Sequence, residues 1–151
     1  MKTTILLRFF LIASLALFGF QIALAVPNPS AIVWNGVPRT FVTSLYIGVL
    51  GRQPENQRVV TEWAAQVNSS KNSRYRVFWA FVNSPEYQAS PWAKQAREYT
   101  VYRRYIMQNN SYSYSVSKHI SDASYYIHAG PYTFGVAMAM RDYYMTFERK
   151  R

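Results

Sequence analysis

Pro91–Gln108 (PWAKQAREYTVYRRYIMQ) and Asn109–Pro131 (NNSYSYSVSKHISDASYYIHAGP) make up most of the second half of the chain. In the first, Trp92, Ala96, Tyr99, Tyr102 or Arg103, and Ile106 recur at three- and four-residue intervals, the period of one helical face. Ser90-Pro91 offers a cap followed by a residue tolerated in a first turn. The spacing predicts one long helix, about 91–108. Asn109–Ser115 reads as a polar loop carrying two tyrosines. Beyond it Val116, Ile120, Ala123 and Ile127 return to helical spacing, and Gly130-Pro131 breaks that helix.

Outward from this stretch the same period continues. Phe134, Ala137, Met140, Tyr144 and Phe147 predict a last helix at about 133–148, fraying into Arg149-Lys150-Arg151. Upstream, Phe41, Val42, Leu45, Tyr46 and Val49 share a face, and Gly51 stands where a left-handed cap would end a helix at about 40–50. A second helix is expected from Pro54 and Glu55 through Val60, Trp63 and Val67. Ser73 reads as the N-cap of a third, with Val77, Phe78, Phe81 and Val82. Ser84-Pro85-Glu86 then repeats the cap, proline, acid order for a short turn. No segment of comparable length alternates apolar and polar residues. The expected fold class is therefore all-α, a small single-domain bundle of about six helices over residues 40–151, with tyrosine-rich helices across 91–148.

Residues 1–25 read as a signal peptide: Lys2 and Arg8 precede the uncharged FFLIASLALFGF (9–20), and Ala23-Leu24-Ala25 is the small-x-small pattern a signal peptidase accepts. Gln21 and the cleavage pattern disfavour the alternative, a retained membrane anchor, and no later segment is long and apolar enough to span. Export to the periplasm, cell surface or medium is the expected localisation. Val26–Arg39, with three prolines before Arg39, is expected to be an extended arm from which Trp34 tucks back onto the domain. Losing Lys2 and Arg8 lowers the chain's net charge from +10 to +8. That charge favours anionic partners in general, and export directs it away from intracellular nucleic acid. With no cysteine in the chain, the domain must be held by packing, without disulfides or thiolate metal sites.

Residues 41–87 carry a recognisable set: Phe41-x3-Leu45-Tyr46, Leu50-Gly51-Arg52-x-Pro54, Trp63, Ser73-Arg74, and Phe81-Val82-x-Ser84-Pro85-Glu86-Tyr87. This stretch resembles the bacterial family called domain of unknown function 4214, related to the phycobilisome linker domain. The resemblance implies a helical module of exported or surface proteins without an established catalytic activity. Gly51, Pro54, Trp63, Ser84, Pro85 and Glu86 each have a structural reading as turn, helix start, packing or cap. Arg52 is expected to brace helix-end carbonyls or pair with a nearby acid.

No catalytic constellation emerges. There is no Gly-x-Ser-x-Gly elbow and no phosphate-binding glycine loop, and the seven acids are scattered. On a helix His119 and Asp122 would share a face, with His128 on the opposite side, so no metal site is nominated and no cofactor is implied. The candidate contact surface is the tyrosine–arginine set Arg97, Arg103, Arg104, Tyr105, Tyr112 and Tyr114, with Tyr125 and Tyr126 beyond. Tyrosine supplies flat faces for stacking and arginine a bidentate donor for phosphate, sulfate or carboxylate. Tyr99 and Tyr102 are expected to be core. The function expected is a secreted, non-catalytic interaction module for an anionic glycan, envelope polymer or protein partner. Alternatives are a small secreted hydrolase of cell-envelope material and a structural or assembly protein.

Overall fold

A computed structural model describes residues 27–67 and 70–148. The export signal read at 1–25 and the basic terminus Arg149-Lys150-Arg151 lie outside the described residues. No helix among the described residues is long and apolar enough to cross a membrane.

The first half follows the sequence grammar closely. After a single 3-10 turn at Pro29–Ala31, helix α1 spans Pro38–Leu45 and continues as one π-turn over Tyr46–Leu50. Gly51 ends it at φ 67°, the left-handed cap its glycine suggested. Helix α2 spans Gln57–Ala64. Asn56 caps it by accepting the Val59 N–H at 3.0 Å, so Pro54 and Glu55, expected to open this helix, sit in the preceding turn. Helix α3 spans Lys71–Val82, and its cap is Ser70 rather than the expected Ser73: the Ser70 hydroxyl accepts the Ser73 N–H at 3.2 Å. Helix α4, Pro85–Ala89, has Ser84 accepting from the Tyr87 N–H, Pro85 in its first turn and Glu86 beside its positive end.

The second half overturns the all-α expectation. Strands β1 (Tyr99–Ile106), β2 (Ser111–Ser117) and β3 (Tyr125–Tyr132) form an antiparallel sheet in the order β2-β1-β3, followed by helix α5 (Phe134–Phe147). The helices expected at about 91–108 and 116–127 do not form, and the supposed loop 109–115 belongs largely to β2. The physical reason lies in composition. Six of the eight β1 residues, in YTVYRRYI, are aromatic or β-branched, types that favour a pleated surface. Three-residue spacing in so aromatic a run arises by chance. Gly130-Pro131, read as a break, lies inside β3. There the pairing with β1 slips by a residue, and proline's missing donor is tolerated on an edge strand.

One hydrophobic core joins the two halves. Phe41, Val42 and Leu45 of α1, Phe78 of α3, Val101 of β1 and Ala137 and Met140 of α5 are all essentially inaccessible. Trp34 stands among them, its ring centroid 5.5 Å from Phe41, 5.2 Å from Phe78 and 5.0 Å from Tyr143. The arm is thus packed rather than free. The Val33 N–H donates to Ser44 Oγ at 2.9 Å, and Arg74 Nη2 donates to the Gly36 carbonyl at 2.9 Å.

Candidate functional site

Strand register sorts the six nominated residues into three places. Val101 faces Val116, Arg103 faces Tyr114 and Tyr105 faces Tyr112 across the β1–β2 ladder, so these side chains share one side of the sheet. That side meets α5, since Tyr114 stacks on Tyr144 with centroids 5.6 Å apart. Here the structure brings together four nominated residues. The Arg103 guanidinium lies 4.5 Å over the Tyr112 ring, and the Tyr105 and Tyr112 rings are 5.5 Å apart. Tyr114, expected to be a contact residue, is buried at 6% exposure. Tyr102 is buried, as expected, at the same figure.

His128, on β3, completes this inner cluster. Its ring is 4.3 Å from that of Tyr144 and 5.4 Å from that of Tyr114, and its Nε2 lies 3.4 Å from Glu148 Oε2. Lys71 Nζ reaches the other Glu148 oxygen at 3.4 Å. Burial pushes the Tyr114 phenol up to about 12, with the Glu148 charge adding to it. Burial also lowers the His128 pKa, helped by the Arg103 charge and opposed by Glu148. Above the ordinary histidine pKa of 6.5 the imidazole is neutral in both states. As pH falls below 6.5 the unfolded chain takes the proton first, so stability declines until the folded-state pKa is passed. The stability lost between pH 7 and pH 5 should therefore be smaller in His128→Gln than in the parent, as read by urea midpoints at each pH. Equal losses would show that His128 contributes nothing to the decline.

Arg104 points the other way. It faces Ser113 on β2 and Tyr125 on β3, positions that alternate with the inner row. Its guanidinium carbon is 5.5 Å from the Tyr125 ring centroid, and it is exposed, with no ion pair among the described residues. These groups line an open cleft of about 520 Å³ together with Tyr105, Ile106, Met107 and Gln108. Tyr125, outside the six nominated residues, is thus the ring that sits against Arg104. Arg97 is remote from both clusters, on the irregular segment before β1, beside Tyr87, Gln88 and Pro131. The histidines are also separated: His119 is exposed in the 118–124 loop, while His128 packs under α5. The helix on which His119 and Asp122 would share a face does not form. Among the described residues no group of three histidine, cysteine or carboxylate side chains is placed to hold a metal ion.

The helical half holds a different polar arrangement. Arg52 Nε and Nη2 donate to the two Glu86 oxygens at 2.5 and 2.7 Å, and Nη2 also reaches Glu55 Oε1 at 2.7 Å. The guanidinium carbon sits 5.0 Å from the Tyr46 ring centroid, and Trp63 packs on Phe81 close by. The bidentate bond to Glu86, foremost, holds Arg52 charged to well above the usual arginine range. Residues 33–90 match the family model described as domain of unknown function (DUF4214). These residues are a DUF4214 domain. No curated protein and no solved structure matches the chain.

Within the DUF4214 domain, the turn Leu50-Gly51-Arg52-x-Pro54 and the cap Ser84-Pro85-Glu86 are far apart in sequence and joined by the Arg52–Glu86 pair. The expected pairing of Arg52 with an acid is what the geometry has, and it ties the end of α1 to the start of α4. The Nε/Nη2 edge is committed to carboxylates of the chain itself and Nη1 donates to the Gln53 carbonyl at 3.0 Å, which describes a brace. The sheet and α5 follow the DUF4214 segment, so the open Arg104–Tyr125 cleft lies outside it.

Proposed function

We propose that the protein is an exported, non-catalytic binding module that holds an anionic glycan or envelope polymer on the outer face of its sheet. Arg104 serves as the cation, Tyr125 as the stacking surface and Ser113 as a neutral hydrogen-bonding neighbour. The single observation that supports this most is the exposed Arg104 guanidinium, set over the Tyr125 ring with no carboxylate within ion-pair distance among the described residues, the Asp122 charge acting on it only from farther off. An arginine so placed keeps its bidentate donors for a partner, and the ring behind it offers a flat apolar face to a sugar. A +8 charge after signal removal adds long-range attraction without selecting a ligand.

Retention on a sulfated-glycan matrix, against a neutral dextran matrix, tests the reading. Arg104→Ala and Tyr125→Ala are each expected to weaken binding by about tenfold. Arg58, which is exposed and paired with Glu62 at 2.8 Å, provides the comparison, and Arg58→Ala is expected to change retention little. Equal effects of Arg58→Ala and Arg104→Ala would mean that net charge alone governs binding and would overturn the site.

A further inference from the structure

The two edges of the sheet are built differently. At one edge, β3 carries Gly130 and Pro131 and breaks register with β1 at two places, features that blunt an edge against further pairing. At the other edge β2 runs Ser111–Ser117 as SYSYSVS, pairs with β1 in continuous register, and has no proline, no bulge and no charge. Its alternate backbone N–H and C=O groups point to β1, and the remainder point away from the sheet. No described strand pairs with that outer side. In a strongly basic chain, a seven-residue edge without a single lysine or arginine lacks the usual protection against strand addition.

The sequence of β2 is also close to symmetric about its centre. Antiparallel pairing of two copies about a two-fold axis through Tyr114 sets Tyr112 against Val116, Ser113 against Ser115, and Ser111 against Ser117. Aromatic and β-branched side chains then meet only each other on the α5 side, and serines meet serines on the outer side. No charge opposes a like charge, although the two molecules repel elsewhere. We propose that β2 is a self-association edge, pairing two copies of this chain through Ser111–Ser117 into a continuous six-stranded antiparallel sheet with an isologous interface. The partner is a second copy because the edge matches itself in side-chain type, hydrogen bonding and neutrality at one register. The outer faces of both sheets then lie side by side, which doubles the Arg104–Tyr125 clefts on one surface.

Sedimentation of the purified protein over its soluble concentration range is expected to show a monomer–dimer equilibrium. S113K/S115K places lysine opposite lysine twice across the axis and should weaken the dimer by about tenfold or more. An unchanged near-ultraviolet spectrum and urea midpoint would confirm that this variant remains folded. Mixing it with S113E/S115E should restore a dimer of the two variants. Because the chain has no cysteine, mild oxidation gives a second reading that barely perturbs the fold. Ser113→Cys mixed with Ser115→Cys should cross-link faster than either variant alone, since the register places 113 against 115. A monomer at every concentration, a dimer indifferent to the lysine pair, or equal cross-linking in all mixtures would each overturn the proposal.

Discussion

Trp34→Ala is expected to destabilise the protein by about 3–5 kcal/mol, a large part of the roughly 5–15 kcal/mol that holds a domain of this size. Trp34 is 2% exposed and touches three rings from three elements, Phe41 of α1, Phe78 of α3 and Tyr143 of α5. Its removal would open a cavity where the DUF4214 segment meets α5, and the three rigid rings among its walls resist collapse. The indole N–H has no hydrogen-bond partner among the described residues, so its contribution is packing. Trp34→Phe keeps most of the ring contact and discards that unpaired donor, and it should cost only about 1–2 kcal/mol. Urea unfolding of the two variants separates these values. A loss under about 1 kcal/mol for Trp34→Ala would show that the arm is not integral to the core.

The contrast between the two halves shows which signals carry a fold in this chain. In the helical half, local chemistry and tertiary structure agree. Gly51 ends a helix because its backbone is left-handed there, and Ser84-Pro85-Glu86 starts one because each residue satisfies a need of the first turn. Where several cap residues are adjacent the start point shifts, as with Ser70 for Ser73 and Asn56 for Pro54. In the second half apolar spacing misled. Tyr99, Tyr102 and Ile106 fit a helical stripe, but Val101 and Tyr105 between them are equally suited to burial, so the pattern could not choose a period. SYSYSVS did alternate strictly. Its serines and flanking asparagines resemble turn composition, which hid a strand whose tyrosine and valine side is packed under α5.

For the candidate surface, the sequence names arginines and tyrosines in the 97–114 stretch without their arrangement. Adjacent residues of a strand point to opposite faces, and a helical reading cannot separate Arg103 from Arg104. Strand pairing places Arg103 with Tyr112 beneath α5 and Arg104 with Tyr125 outside. The partner of Arg104 comes from β3, 21 positions along the chain, and only the register reveals it.

Gly130→Ala is expected to lower stability by about 2–4 kcal/mol and to loosen β3 from β1. Gly130 has φ 138°, a backbone state that residues with a side chain rarely adopt, and an added Cβ would sit 3.0 Å from the Tyr99 carbonyl oxygen and 3.1 Å from Thr100 Cα. Those atoms are backbone of the central strand and cannot swing aside as a flexible side chain would. Relief requires the two strands to part at their irregular end, so amide exchange should rise in β3 ahead of the helices. Gly135→Ala provides the internal comparison. The nearest atom to a Cβ there is Pro29 Cγ at 3.5 Å, an ordinary contact, and alanine favours the helix by up to about 1 kcal/mol. The pair should therefore move urea midpoints in opposite directions. Because β3 carries Tyr125, Gly130→Ala should also reduce retention on the sulfated-glycan matrix while Gly135→Ala leaves it unchanged. A Gly130→Ala variant with parental stability would mean that the β1–β3 approach is looser than 3 Å backbone contact allows.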